Sequence, residues 1–290
     1  MTAPLAVGFI GLGNLGSAMV ERLLAVGHPV AAYDPRPDAR ARAADLGARV
    51  ATGPGDTAVD AAVVCVAVRD DAQSIEVVTA ADGVLAHAAP GTVIVLHATV
   101  APSTVVVLAA ACRAAGCDLV DAGLSGGPDR ALAGDLVSVV GGDADVVRRA
   151  EPVLQAYASD VIDCGPSGAG MAAKLARNLA QYGIWCALHE GMDLAASAGV
   201  DLELFARYVR ASGLPTNHDV VLDRSSARPL DPTTADPAEV ERLRWAVALG
   251  DKDLDDAFEL ADDLGCEVPV GRVARHRFAW AMGLVEDRRS

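Results

Sequence analysis

The sequence predicts an α/β fold: a doubly wound, mainly parallel sheet followed by an all-helical region. Over about the first 165 residues, short apolar runs alternate with helical patterns, as strands and crossover helices do in a parallel sheet. From residue 166 onward no β-rich run occurs, and helical periodicity dominates. At 290 residues the chain is also longer than a typical single domain. We therefore expect a dinucleotide-binding domain at residues 1–165 and a helical domain at residues 166–290.

The predicted strands are short apolar runs that end at small or polar residues. In chain order they are Leu5–Ile10, Val30–Tyr33, Val63–Val68, Val93–His97, Leu119–Ala122, Leu136–Val140 and Val161–Cys164. Helices are predicted at Ser17–Val26, after Asp70 or Asp71, after Ala98–Pro102, at Ala144–Tyr157 and at Asp201–Arg210. A proline-free stretch beginning at Ser167 predicts a long interdomain helix that reaches about Ser197. Residues Leu214–Ala238 contain four prolines and predict a loop, after which helices resume.

A glycine-rich turn follows the first predicted strand. It reads Gly11-Leu12-Gly13-Asn14-Leu15-Gly16 and leads directly into a helical pattern. Gly11 permits a tight turn, Gly13 lets the backbone approach a pyrophosphate, and Gly16 allows the helix to pack close to the strand. The positive end of the helix dipole favours the same phosphates. Strand, turn, helix and second strand together predict a dinucleotide-binding domain of the Rossmann type.

An acidic residue ends the second predicted strand. Asp34 stands 23 positions after Gly11, the spacing at which a carboxylate accepts hydrogen bonds from the ribose 2′-hydroxyl of NAD. The same carboxylate repels the 2′-phosphate of NADP, so we expect NAD as the cofactor. Arg36 leaves NADP possible, because its guanidinium could stack on adenine or pair with a phosphate. A solvated loop arginine is an equally good interpretation of Arg36.

Lysine is nearly absent from this chain. Of the 24 Lys and Arg residues only two are lysines, Lys174 and Lys252. Arginine does not lose its proton at any working pH, so a retained lysine indicates a place where a titratable amine is needed. Lys174 lies near the start of the long predicted helix, and Asn178 follows one turn later on the same face. A solvated surface charge is the alternative interpretation of Lys174.

The carboxyl ends of the strands are where a doubly wound sheet binds its ligand. The loops expected there hold Gly11–Gly16, Val68, Thr99 and Ser125–Gly127. Ser125, Gly126 and Gly127 combine one hydroxyl with unobstructed backbone N–H groups, which suits a carboxylate, although an ordinary tight turn remains the alternative. With the nucleotide fold and the amine of Lys174, this loop predicts hydride transfer on a small carboxylic acid.

Charge and composition exclude several classes of partner. The formal net charge is −15 and no basic run occurs, which argues against nucleic acids and anionic membranes. No apolar stretch is long enough to span a bilayer, and the amino terminus lacks the basic segment of a secretory signal. The six cysteines lie in apolar runs without C-x-x-C spacing. We therefore expect free thiols in a reducing cytoplasm, and no metal site.

Four motifs occur in an order that is specific to one enzyme family. They are Gly8-Phe-Ile-Gly-Leu-Gly-Asn-Leu-Gly16, Asp121-Ala-Gly-Leu-Ser-Gly-Gly127 with Ala131 and Gly134 following, Gly165-Pro-Ser-Gly-Ala-Gly170 leading to Lys174 and Asn178, and Lys252-Asp-Leu254. Over essentially its whole length the chain resembles the β-hydroxyacid dehydrogenases. That family includes 3-hydroxyisobutyrate dehydrogenases, tartronate semialdehyde reductases and glyoxylate/succinic semialdehyde reductases.

The resemblance implies a role for each matching residue. Lys174 falls on the family's catalytic lysine, and Asn178 on the asparagine that holds the substrate. Ser125–Gly127 falls on the loop for the substrate carboxylate. Thr99 matches a residue beside the nicotinamide, and Lys252 a lysine that closes over the cofactor. The resemblance also implies a helical second domain and a homodimer or homotetramer supported by the long helix.

Two departures from the family pattern lie near the expected substrate. The family's strand-end Asp-x-Ser-Thr reads Leu96-His97-Ala98-Thr99 here, and the first of two adjacent asparagines after the lysine is Arg177. These changes leave the particular hydroxy acid open. His97 is either a packed strand-end residue or a substrate contact.

Three hypotheses for the function follow. The leading one is an NAD-dependent 3-hydroxy acid dehydrogenase, or the reverse semialdehyde reductase. An imine reductase has a similar scaffold but usually lacks the lysine at position 174. A non-catalytic dinucleotide-binding interaction protein tends to lose that lysine or to gain a basic tail.

Overall fold

The structure is a computed structural model, and it describes residues 4–197, 199–212, 230, 235–265 and 267–284. The chain divides into two compact units, Met1–Lys174 and Leu175–Ser290. This division falls inside a helix rather than at the predicted boundary after residue 165, and that boundary stays a prediction.

The first unit contains an eight-stranded sheet in the order β3-β2-β1-β4-β5-β6-β7-β8. Its strands are β1 (Val7–Ile10), β2 (Val30–Tyr33), β3 (Arg49–Val50), β4 (Val63–Val66), β5 (Val93–Leu96), β6 (Asp118–Ser125), β7 (Leu136–Gly141) and β8 (Ala158–Asp163). In this sheet β6 and β7 pair antiparallel, and the other neighbours pair parallel. The strand order reverses at β1 and β4, which is the switch point of a doubly wound fold. The predicted fold class is confirmed.

Helices connect these strands and cover the sheet. They are α1 (Asn14–Ala25), α2 (Pro37–Asp45), α3 (Asp71–Thr79), α4 (Pro102–Ala114), α5 (Pro128–Ala133) and α6 (Ala144–Tyr157). Every residue of β1, β4 and β5 is buried, as expected for parallel strands with helices on both faces. The core is built mainly from Val, Ala and Leu.

The side chains of Asp70 and Asp71 have different roles at the carboxyl edge of the sheet. Asp70 caps α3, because its Oδ1 accepts a hydrogen bond from the N–H of Gln73 at 2.9 Å. Asp71 does not cap the helix. Its Oδ1 accepts from the N–H of Ala101 at 2.9 Å and from the hydroxyl of Thr104 at 2.6 Å. The loop after β4 is therefore tied to the loop after β5, which carries Thr99.

The long helix α7 (Ala169–Ser197) begins in the first unit and continues into the second. The second unit also holds α8 (Leu202–Ala211), α9 (Pro237–Leu264) and α10 (Pro269–Ala281). Among its described residues, buried Tyr182 and Phe278 lie in one apolar cluster. In its described part the β-structure is one isolated bridge between Leu230 and Leu284, so the helical prediction is confirmed.

Most of the predicted loop at Leu214–Ala238 lies outside the described residues. At its described end, α9 already begins at Pro237, where Asp236 Oδ1 accepts a hydrogen bond from the N–H of Ala238. Among the described helices, none is both long and apolar enough to cross a membrane.

Candidate cofactor and active site

The three glycines of the turn between β1 and α1 meet different packing requirements. Gly11 has a φ of 97°, and a Cβ there would lie 2.3 Å from the carbonyl oxygen of Ala67. A Cβ on Gly16 would lie 2.0 Å from the carbonyl oxygen of Gly11. Only glycine fits at these two positions. Gly13 caps the amino end of α1, and a Cβ added to it would meet no atom within 4 Å.

The open side of Gly13 fits a pyrophosphate. The first N–H groups of α1, at Asn14 and Leu15, have no acceptor within the helix and lie at the positive end of its dipole. An anion at this position would accept hydrogen bonds from these N–H groups without obstruction by a side chain. Val68 borders the same turn, because its N atom would lie 3.2 Å from a Cβ on Gly11.

Asp34 is buried behind the turn and is held by Leu12 of the turn and by Arg36. Its Oδ2 accepts a hydrogen bond from the N–H of Leu12 at 2.8 Å. Its Oδ1 accepts from the backbone N–H and the Nε of Arg36, each at 2.9 Å. Nη2 of Arg36 also donates to Oδ2 at 3.2 Å and to the carbonyl oxygen of Leu12 at 3.0 Å. Arg36 is thus an ion-pair partner of the predicted ribose-binding carboxylate.

The ionisation of Asp34 follows from these contacts. Burial by itself would raise the pKa of Asp34. The hydrogen bonds from Arg36 and Leu12, with the positive charge of Arg36, outweigh burial and lower that pKa below its ordinary value. Asp34 is therefore negatively charged at neutral pH, as ribose recognition requires.

Asp121 holds the first turn of α7 against β6. It is fully buried. Its Oδ1 accepts a hydrogen bond from the N–H of Gly168, and its Oδ2 from the N–H of Met171, both at 2.7 Å. Gly141 and Gly170 let the two backbones touch, since a Cβ on either one would lie 2.7 Å from the N atom of the other. The start of α7 is therefore fixed on the sheet.

Lys174 lies over Gly123 and Ser125, the next two residues of β6 on the same side as Asp121. A Cβ on Gly123 would lie 2.7 Å from the Cβ of Lys174, so glycine makes room for the lysine. The Nζ of Lys174 lies 3.4 Å from the Oγ of Ser125, a long hydrogen bond. Because side chains alternate along a strand, Asp121, Gly123 and Ser125 all face α7. The structure brings together Lys174 and Ser125, as the candidate site requires.

The substrate loop begins three residues later than predicted. Ser125 is the last residue of β6 and pairs with Val137 of β7, whereas the predicted strand ended at Ala122. Gly126 and Gly127 have φ values of 138° and 84°, which other residues adopt only with strain. A Cβ on Gly127 would meet no atom within 4 Å, so its surroundings are open to a ligand.

His97 packs inside the first unit. Its Nδ1 lies 2.9 Å from the carbonyl oxygen of Ala122, and its Nε2 lies 3.0 Å from the hydroxyl of Tyr157. A carbonyl only accepts, so Nδ1 carries the proton and Nε2 accepts from Tyr157. Burial lowers the pKa of His97 to about 4, which keeps the ring neutral. Of the two interpretations, the packed residue is the correct one.

In the second unit, Asp253 joins two of the predicted site residues. Its Oδ2 accepts hydrogen bonds from Nδ2 of Asn178 at 2.8 Å and from the hydroxyl of Tyr182 at 2.9 Å. Its Oδ1 lies 3.0 Å from Nζ of Lys252, which also lies 3.2 Å from Asp256. Burial alone would lower the pKa of Lys252, but the charges of these two carboxylates raise it. Lys252 therefore stays positively charged.

Arg177, the departure from the family pattern, contacts the other end of the Asn178 amide. Its Nη1 donates to Oδ1 of Asn178 and its Nη2 to Oε1 of Gln181, both at 3.1 Å. Both polar atoms of the Asn178 side chain thus have partners in this structure. The substrate-binding role of Asn178 stays a prediction.

Two carboxylates of these sites received no role in the sequence analysis. Asp121 and Asp253 both lie within the quoted motifs, but Asp121 accepts from Gly168, 47 residues away in the chain, and Asp253 accepts from Asn178, 75 residues away. For Asp121, the two-residue spacing to Gly123 and Ser125 was the available signal. For Asp253, the signal was its position next to one of only two lysines.

Comparison with known proteins identifies the family. Residues 6–165 match the family described as the NAD binding domain of 6-phosphogluconate dehydrogenase. An uncharacterized oxidoreductase of Mycobacterium tuberculosis is 35% identical over 279 residues, which cover 96% of this chain and 93% of that protein. The NAD-dependent L-serine dehydrogenase of Pseudomonas aeruginosa is 34% identical over 207 residues, 71% of this chain and 69% of that protein.

A solved structure is also similar over nearly the whole chain. The 3-hydroxyisobutyrate dehydrogenase of Mycobacterium tuberculosis with L-serine is 28% identical, with a TM-score of 0.75, and the match covers 96% of this chain and 93% of that one. The glycine turn, Asp34 and β6 all lie within the matched family domain. The cofactor is NAD(P), and the chain belongs to the β-hydroxyacid dehydrogenase family of oxidoreductases.

Proposed function

We propose that this protein transfers a hydride between a nicotinamide cofactor and a small 3-hydroxy acid, or the corresponding semialdehyde in the reverse direction. One observation carries the proposal. The Nζ of Lys174 lies 3.4 Å from the Oγ of Ser125, so a titratable amine stands beside a loop suited to a carboxylate. The same unit of the chain contains the dinucleotide turn.

The chain's own groups divide the chemistry in a defined way. Lys174 accepts the hydroxyl proton as the alcohol is oxidised and returns it when the carbonyl is reduced. Ser125 and the N–H groups of Gly126 and Gly127 hold the substrate carboxylate. Asn178 and Thr99 are proposed contacts for substrate and nicotinamide, and Lys252 for the cofactor. When bound, the nicotinamide accepts or supplies the hydride.

The substrate class rests on the relatives. One relative is an L-serine dehydrogenase, and a similar solved structure is a 3-hydroxyisobutyrate dehydrogenase with L-serine. Both compounds are small carboxylic acids whose hydroxyl is on the carbon next to the α-carbon. We propose this class for the present chain, in a cytoplasmic enzyme.

A substrate panel tests the proposal. We expect the protein to reduce NAD⁺ in the presence of L-serine, 3-hydroxyisobutyrate or a related 3-hydroxy acid. The rise in NADH fluorescence measures this reduction. Turnover of cyclic imines alone would favour an imine reductase. Nucleotide binding without turnover of acids, semialdehydes or imines would favour the interaction protein.

The Ser125→Ala variant tests the carboxylate loop. Loss of the hydroxyl should raise the substrate KM by about tenfold and leave the Kd for NADH unchanged, because Ser125 is proposed to hold the acid and not the cofactor. Ser159→Ala is a matched control, since Ser159 is an exposed serine of β8. An unchanged KM in Ser125→Ala would indicate that residues 125–127 form an ordinary turn and do not bind the substrate carboxylate.

A homodimer or homotetramer also remains our proposal. In the described part of α9 and α10, Trp245, Val270 and Val273 are more than half exposed, at 56%, 73% and 62%. Exposed apolar side chains of this size favour a protein interface. Sedimentation equilibrium would measure the state, and a monomer at micromolar concentration would contradict it.

A further inference from the structure

We infer that Asp121 is a positioning residue for Lys174: it fixes the first turn of α7 on β6 and thereby sets where the lysine amine stands. The inference rests on the proposed function of Lys174 as the proton donor and acceptor. It concerns residues of the first unit only, from Asp121 on β6 to Lys174 on α7.

Placing a carboxylate at position 121 costs free energy. Asp121 has no exposed surface, and burial raises its pKa, an effect that the N–H groups of Gly168 and Met171 oppose. A buried carboxylate is expensive unless hydrogen bonds satisfy it. An apolar residue would fill the space without that cost. What the carboxylate adds is two strong acceptors directed at the start of a helix.

The first turn of α7 is constrained from two directions. Gly141 and Gly170 bring the backbones of β7 and α7 into direct contact, so the turn has no room to move toward the sheet. The two 2.7 Å hydrogen bonds to Asp121 keep it from moving away. Neither constraint alone fixes the turn.

Only a short stretch of chain separates the turn held by Asp121 from Lys174. Met171, which donates to Asp121, lies three residues before Lys174, about one helical turn. The backbone of β6 passes directly beneath Lys174 at Gly123. A shift of the first turn therefore moves Lys174 relative to Ser125. Misplacement of a reacting group by about 1 Å can cost about 10²-fold in rate.

Kinetics of two substitutions test the inference. Asp121→Asn keeps the shape and one acceptor oxygen, whereas Asp121→Ala removes both acceptors. We expect kcat to fall about 10-fold in the first and about 100-fold in the second, with the Kd for NADH and the substrate KM within about twofold. Asp118→Asn is the matched control, because Asp118 lies at the other end of β6 and pairs with Arg149 at 2.7 Å.

A second readout does not depend on activity. The chain has only two lysines, so protein grown with ¹³Cε-lysine gives two signals in a ¹H–¹³C spectrum, and Lys174→Arg identifies one of them. In Asp121→Asn we expect the Lys174 signal to move and the Lys252 signal to stay. Gly123→Ala, which places a Cβ against Lys174, calibrates the shift of a displaced lysine. In Asp118→Asn both signals should stay.

The outcomes separate this inference from the proposed function. A folded Asp121→Asn with an unmoved Lys174 signal and wild-type kcat would overturn the positioning role. If no Asp121 variant folds, the carboxylate determines the fold rather than the lysine's place, and the role is likewise overturned. Should Lys174→Arg keep full activity, the proposed proton role fails, while the lysine signal still reports whether Asp121 positions the side chain.

Discussion

Lys174 and Lys252 have different surroundings. Lys252 lies between Asp253 and Asp256, which raise its pKa and keep it charged. Lys174 lies beside the hydroxyl of Ser125. A charge alone is enough for contact with an anionic cofactor, whereas proton transfer requires a group that titrates.

The two lysines therefore respond differently to arginine. Lys174→Arg keeps the charge but not the titratable proton, so we expect kcat to fall by roughly 10² to 10⁴, the usual contribution of general acid–base catalysis. NADH should still bind in a fluorescence titration. Lys252→Arg should keep kcat within about threefold and act mainly on the cofactor KM. Turnover of Lys174→Arg near the wild-type rate would show that Lys174 is only a positioning charge.

Arg36 bears on the choice between NAD and NADP. The buried, ionised Asp34 repels a 2′-phosphate, so we expect tighter binding of NADH than of NADPH. The half-exposed guanidinium of Arg36 is the group available to offset that repulsion. Arg36→Ala should weaken NADPH binding by about tenfold and change NADH binding little. Arg42→Ala, at an exposed arginine of α2 paired with Asp38, is the control. Tighter binding of NADPH by the wild type would contradict this prediction.

At the scale of one element, the turn between β1 and α1 allows binding and folding to be separated. Gly13→Ala places its Cβ in open space at an ordinary φ of −67°, so Tm should hold while NADH affinity falls at least tenfold. Gly16→Ala places its Cβ 2.0 Å from a carbonyl oxygen, so Tm should fall by several degrees. Thermal unfolding with and without NADH measures both. Equal Tm losses in the two variants would contradict the assignment.

Elements with local signals were predictable from the sequence, and the others were not. β1, α1 and the glycine turn follow from apolar runs and glycine spacing within 20 residues. β3 has two exposed residues and α5 only six residues, too few for a periodic pattern. α2 is mostly polar. β6 reaches Ser125 because it pairs with β7, a contact that no local pattern reports.

At the scale of the whole molecule, His97 affects stability in acid. Its pKa of about 4 in the folded chain lies below the ordinary value of 6.5. As pH falls below 6.5 the unfolded chain takes up a proton that the folded chain does not, so stability is lost. Between pH 7 and pH 5.5 this loss amounts to about 1 kcal/mol of unfolding free energy.

Substitution of His97 should remove that dependence. His97→Gln should be less stable than the wild type at pH 7, but it should lose about 1 kcal/mol less between pH 7 and pH 5.5. Urea unfolding followed by circular dichroism at both pH values measures the difference. His87→Gln, at an exposed histidine of the same unit, is the control for the loss of an imidazole. An identical pH dependence in His97→Gln would show that the buried histidine is not responsible.

The sequence identified the residue types of the candidate site better than their contacts. The Lys174–Ser125 pair was anticipated, because the scarcity of lysine and the glycine loop are both visible in the chain. The anchors were not, because Asp121 and Asp253 act on backbone or side chains far along the chain. The sequence leaves the role of His97 open, because its partners Ala122 and Tyr157 lie 25 and 60 residues away in the chain.

The alternation along β6 has a consequence for how this enzyme could be altered. Positions 121, 123 and 125 share one parity, and a strand inverts both of its faces when it slips by one residue. Insertion or deletion of a single residue at the start of β6, before Asp121, would therefore turn the anchor, the space for Lys174 and the Ser125 hydroxyl away from α7 together. A change of length in the connection between α5 and β7, at Gly134 and Asp135, leaves that parity intact. A protein engineer can therefore vary that connection, but must keep the length of β6 unchanged.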